Sequence, residues 1–115
     1  SFRISLKIDF TDPNVPYHDI SLMIDGDKIY VSKQILAAAS PVFRSMFYSE
    51  FAEKNKNEVK LKDVDKNEFI EFLHVIYPQN WNLTDSSVEG ILKLSDRFQV
   101  KGVIERVEDF LIDSE

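Results

Sequence analysis

Residues 2–10 alternate without a break, with Phe2, Ile4, Leu6, Ile8 and Phe10 on one side and polar residues on the other. Period two is the signature of a strand with one face buried and one wet. Residues 11–16, Thr-Asp-Pro-Asn-Val-Pro, then interrupt regular structure, because each proline lacks a donor and constrains the residue before it. A second alternating run, Ile20, Leu22 and Ile24, meets a third, Ile29 and Val31, across Asp25-Gly26-Asp27. Gly26 supplies the positive φ of a tight hairpin turn. Residues 58–62 alternate again around Val59 and Leu61, a further short strand.

Elsewhere the period is helical. Ser32 is placed to cap a short helix carrying Ile35, Leu36 and Ala39. Ser40-Pro41 stops it and starts another, with Ser40 as N-cap, Pro41 at the first helical position, and Val42, Phe43, Met46 and Phe47 on one stripe. Asp65-Lys66-Asn67-Glu68 resembles a capping box and opens a helix bearing Phe69, Phe72, Leu73, Ile76 and Tyr77, ended by Pro78. A fourth helix starts near Thr84 or Ser86 and buries Val88, Ile91, Leu92, Ser95 and Phe98. A fifth buries Val100, Val103, Ile104, Val107, Phe110 and Leu111. The expected architecture is α+β, a small mixed sheet packed with about five amphipathic helices. Residues 1–17 form a strand and Pro-containing loop ahead of a domain spanning 18–115.

Composition narrows what such a domain can do. With 115 residues, 43% of them apolar, there is material for one core and too much of it for a disordered tail. No cysteine is present, which excludes disulfides, thiolate metal sites and cysteine nucleophiles and fits a reducing, intracellular compartment, cytoplasmic or nuclear. No apolar run approaches the roughly 18 residues that span a bilayer. Against 20 acidic residues stand 14 basic ones, unclustered, for a net charge of −6, so phosphate backbones and anionic membranes are poor partners.

Catalytic signals are missing. The two histidines, His18 and His74, lack a ligand partner at metal-binding spacing and read as surface or packing residues. Three glycines cannot build a phosphate-binding loop, and no nucleophile motif occurs. Neither enzyme nor cofactor is expected.

Two features stay open on the residues alone. Phe51 enters a charged stretch, Ala52 to Glu58, where it is either tucked into the core, the norm for Phe, or exposed as an anchor for a partner. The small pair Ala37-Ala38 permits close helix approach, inside the domain or across a two-fold axis.

The order of these pieces is familiar. His18-Asp19-Ile20-Ser21-Leu22, Gly26, the run from Val31 to Phe47 with Ala37-Ala38-Ala39-Ser40-Pro41-Val42-Phe43 at its heart, Val59-Lys60-Leu61-Lys62-Asp63-Val64, residues 69–77 and Leu94-Ser95-Asp96-Arg97-Phe98 together resemble a BTB (POZ) domain over about residues 18–113. The lead-in Ile8-Asp9-Phe10-Thr11-Asp12-Pro13 is similar to the BTB half of MATH–BTB adaptors.

The resemblance implies a protein-interaction module, usually a homodimer, that docks on the cullin-3 N-terminal region and presents substrates, recruited by another domain, to a ubiquitin ligase. The alternative within the family is self-assembly alone, as in transcriptional or scaffold proteins. Phe51-Ala52-Glu53 fits the hydrophobic-x-Glu motif of cullin-binding members, which makes Phe51 an exposed anchor and Glu53 its orienting carboxylate, with Tyr48 and Tyr77 beside them. Asp19, Ile35, Ala38 and Phe43 are expected near the self-association surface. Two positions depart from the family pattern. Ser32 stands where His is common, and residues 2–10 read as a strand where dimeric members carry an amphipathic helix. That strand is expected to add to a sheet edge, its own or, as the favoured reading, a second copy's by exchange.

Overall fold

The computed structural model describes residues 8–49, 57–78 and 85–113. Over these residues the chain runs β1 (Ile20–Ile24), β2 (Asp27–Val31), α1 (Lys33–Ala39), α2 (Pro41–Tyr48), β3 (Glu58–Lys60), α3 (Lys66–Ile76), α4 (Asp85–Arg97) and α5 (Lys101–Asp113). The sheet has the order β2-β1-β3, with β1 antiparallel to β2 and parallel to β3. Parallel pairing needs a crossover, and α1 and α2 supply it.

The hairpin forms where the alternation places it. Ile24 pairs with Asp27, leaving the two-residue loop Asp25-Gly26 with φ of 52° and 82°. Two successive positive φ values are the loop that matches strand twist. The register sets Leu22 opposite Ile29, and both are fully buried with Ile24 and Val31.

The helices cover the inner face. Phe43 of α2 stacks on Phe98, just past α4, with ring centroids 4.4 Å apart, and Phe69 and Phe72 of α3 close around the pair. The turn after α4 is a left-handed C-cap at Gln99, φ 57°, with the Val100 N–H reaching the Ser95 carbonyl at 2.8 Å. Arg97 forks onto the carbonyls of Lys62 (2.8 Å) and Asp63 (3.0 Å), tying that helix end to the loop before α3.

Ser40 carries the tightest local junction. It is at once the C-cap of α1 and the N-cap of α2. Its Oγ accepts from the Phe43 N–H at 3.1 Å and donates to the Phe98 carbonyl at 2.6 Å, with 1% of the residue exposed. Asp65 caps α3 as its sequence suggests, accepting from Asn67 and Glu68 N–H groups.

Some expectations change. Residues 1–7 of the N-terminal strand lie outside the described residues, and its end is not extended. The Asp9 carboxylate accepts from the Thr11 N–H at 2.9 Å and from its hydroxyl, and the Asp12 N–H reaches the Asp9 carbonyl at 3.1 Å. This local turn competes with strand geometry and puts Phe10 in a bend. Phe10 is nonetheless 2% exposed, and its carbonyl accepts from Tyr30 N–H on the outer edge of β2. On α4 the buried position is Leu94 rather than Leu92, which is exposed, and Leu111 on α5 is exposed too. Both misplaced leucines flank the buried stripe, where a 3.6-residue period is least discriminating.

Ser40→Ala deletes a cap and strands the buried Phe98 carbonyl together. The expected loss of unfolding free energy is about 2–4 kcal/mol, measured by denaturant titration.

Candidate interaction site

α1 is short, so its start is held from outside. Ser32 accepts from the Ile35 N–H at 3.3 Å, the Asp19 carboxylate accepts from the Lys33 N–H at 2.9 Å, and the Tyr77 hydroxyl accepts from the Ser32 N–H at 2.9 Å. These bonds satisfy donors that a helix start leaves orphaned. They also fix which face of α1 points outward. Leu36 and Ala37 are buried, Ile35 is half-buried against the core, and Ala38 is exposed. Asp19 is exposed at the head of the helix.

Of the residues expected near a self-association surface, Asp19 and Ala38 are exposed and Ile35 is half-buried. Phe43 does not join them. It is fully buried in the stack with Phe98, because its position in the first turn of α2 aims it at the core. Behind Ala38 and Ala39 lies a groove of about 340 Å³ whose other walls include Ile76, Val103 and Arg106. The Arg106 guanidinium donates to the Val75 carbonyl at 3.3 Å.

The second group divides differently. Tyr48, the last residue of α2, is 53% exposed, and the helix closes at Ser49, whose N–H reaches the Ser45 carbonyl. Phe51 and Glu53 lie outside the described residues. Tyr77 is not a surface residue. It is 1% exposed, its hydroxyl contacts His18 Nε2 at 2.8 Å as well as the Ser32 N–H, and its ring meets Phe10 edge-on at 4.9 Å. Burial pushes its phenol far above the ordinary range.

Around Tyr77 is an aromatic cluster that period counting missed. Phe10 stacks on His18 at 5.8 Å and meets His74 edge-on at 5.0 Å, while Tyr17 meets His18 edge-on at 4.9 Å. Burial holds His18 below its ordinary value of 6.5, against the opposing pull of the Asp19 and Asp12 carboxylates. The one available signal was compositional, an aromatic-rich lead-in followed by a histidine. Among the described residues no group of three or more His, Asp or Glu side chains could hold a metal ion.

Comparison with known proteins bears on this arrangement. The model of the BTB/POZ domain family matches residues 10–115. The chain is 47% identical over 103 residues to BTB and MATH domain-containing protein 36 of Caenorhabditis elegans, covering 90% of this chain and 32% of that protein. It is 42% identical over 109 residues to protein 38 of the same series and organism, covering 95% and 28%. Kelch-like protein 40 of Xenopus laevis is 33% identical over 103 residues, covering 90% and 17%. The chain therefore spans about a third or less of these relatives. Among solved structures, the BTB domain of human gigaxonin superposes with a TM-score of 0.69 at 20% identity, covering 95% of this chain and 99% of that one, a likeness of fold.

Tyr77→Phe keeps the ring and removes the hydroxyl shared by Ser32 and His18. A loss of about 1–3 kcal/mol in unfolding free energy is expected, read by thermal or denaturant melting.

Proposed function

Since the chain belongs to the BTB/POZ domain family, a protein-interaction fold, we propose that it acts as the cullin-3-docking part of a substrate adaptor in a ubiquitin ligase. The observation that carries the reading is the Phe51-Ala52-Glu53 motif following directly on α2, in a chain whose match to BTB and MATH proteins runs nearly end to end. An aromatic anchor beside a carboxylate suits a docking contact, since buried aromatics dominate interface energies and rim charges fix orientation. The exposed ring of Tyr48, three residues before Phe51, extends that contact. Substrate is taken by another domain of the full protein, a MATH domain in the relatives' own names. The adaptor works in the cytoplasm or nucleus.

The same reading includes a homodimer. Asp19, at the head of α1, and Ile35 and Ala38 on the helix form its self-association surface. Ala38 is small and exposed, so two copies of α1 can approach closely there.

Two measurements test this. Phe51→Ala is expected to weaken binding of the cullin-3 N-terminal region by about thirtyfold, some 2 kcal/mol, in calorimetric titration. Unchanged affinity in a folded variant overturns the docking assignment, and a wild-type dimer that takes no cullin-3 leaves self-assembly as the function. Ala38→Glu alters a residue the protomer does not bury, so the fold should survive. At a dry two-fold contact the added carboxylate costs several kcal/mol, and light scattering should show monomers. A variant as dimeric as the wild type removes α1 from the interface.

A further inference from the structure

The aromatic cluster holds a titratable group that neither surface uses. His18 lies between the lead-in, residues 8–17, and the body of the domain. Its ring stacks on Phe10 and meets Tyr17 edge-on, and its Nε2 meets the Tyr77 hydroxyl at 2.8 Å. Its Nδ1 is buried and has no hydrogen-bond partner.

That asymmetry decides which protonation state fits. A neutral imidazole with its one ring proton on Nε2 donates to the Tyr77 hydroxyl and leaves the buried Nδ1 as an unused lone pair. An imidazolium carries a donor on both nitrogens. Its Nδ1–H would be a charged donor shut away from water with nothing to accept it, and such a group is far costlier than an unused acceptor. We propose that His18 is a proton-operated latch, which holds residues 8–17 against the body while neutral and frees them on taking up a proton.

The surrounding charges do not prevent this. From the lead-in, Asp12 and Tyr17 face the ring, and from its own strand approach, Asp19. From α3 and its cap come Tyr77 directly and His74 across Phe10. Asp12 and Asp19 favour the imidazolium, yet each is already engaged, accepting from the Asn14 and Lys33 N–H groups respectively. Burial outweighs them, so His18 titrates below 6.5 in the fold. The sign follows: the unfolded or released segment binds the proton more readily, so the latch is fully closed above 6.5 and loosens as the pH falls towards the depressed folded value.

Release is local for a structural reason. Among the described residues the lead-in meets the body through Ile8, packed against the core, through Phe10 and His18, and through the backbone bond from the Tyr30 N–H to the Phe10 carbonyl. The hairpin, the Ser40 junction and the Phe43–Phe98 stack do not run through it.

With two histidines in the chain, both imidazoles can be followed by NMR between about pH 7.5 and pH 5, together with amide-exchange protection factors. Protection of Tyr30 N–H is expected to fall over that range relative to Phe98 N–H, in step with the His18 titration. In His18→Phe, which keeps a flat ring and cannot take a proton, the ratio should not move with pH. A flat ratio in the wild type, an equal fall in His18→Phe, or a fall shared by every core amide overturns the latch. If His18→Phe does not fold, the wild-type titration still decides, because a His18 that titrates at or above 6.5 is not held neutral by this site.

Discussion

Where α1 gives way to α2 with only Ser40 between them, two helix ends must turn inside the protein without leaving their backbone groups unpaired. One buried hydroxyl meets most of that demand. Its oxygen caps α2 through the Phe43 N–H, and its proton goes to the Phe98 carbonyl at the exit of α4, while the Ser40 N–H closes α1 on the Leu36 carbonyl. The bond to Phe98 also sets the distance at which the Phe43 and Phe98 rings stack. Pro41 makes the corner possible, since the first helical position needs no donor and favours the fixed φ of proline. The parallel partner of β1 is then reached only because the chain reverses here.

Local chemistry made much of this legible beforehand. The hairpin, the Ser40-Pro41 corner and the Asp65 cap are each written in a few adjacent residues, and their physics is complete within that span. Legibility fails where two parts of the chain compete for one residue. Leu92 and Leu94 differ by which of them faces α3 and α5, a question of helix rotation that a 13-residue stripe does not answer alone. Residues 8–10 alternate as a strand should, but the Asp9 side chain bonds the Thr11 backbone and bends the chain first.

The interaction residues show the same limit from the other side. Resemblance assigns Phe43 and Tyr77 to surfaces by their place in a motif, and motif position says nothing of depth. Both are large aromatics one helical turn or less from exposed neighbours, and burial resolves them to the core. Ala38, Asp19 and Tyr48 are exposed, which is what a place on a surface requires.

The contact between Tyr77 and His18 also connects what the sequence lists apart. A seven-residue helix is too short to stand by its own hydrogen bonds, so α1 depends on Asp19 and Tyr77 for its first turn. Tyr77 in turn touches His18, and Asp19 is the residue that follows His18. The lead-in and the outward face of α1 are therefore not independent elements. They share one phenol and one short stretch of backbone, so whatever changes the contact between His18 and Tyr77 acts within two bonds of the Ser32 cap. The proposed self-association face stands on that cap, two turns of helix whose orientation is set from residues 18, 19 and 77.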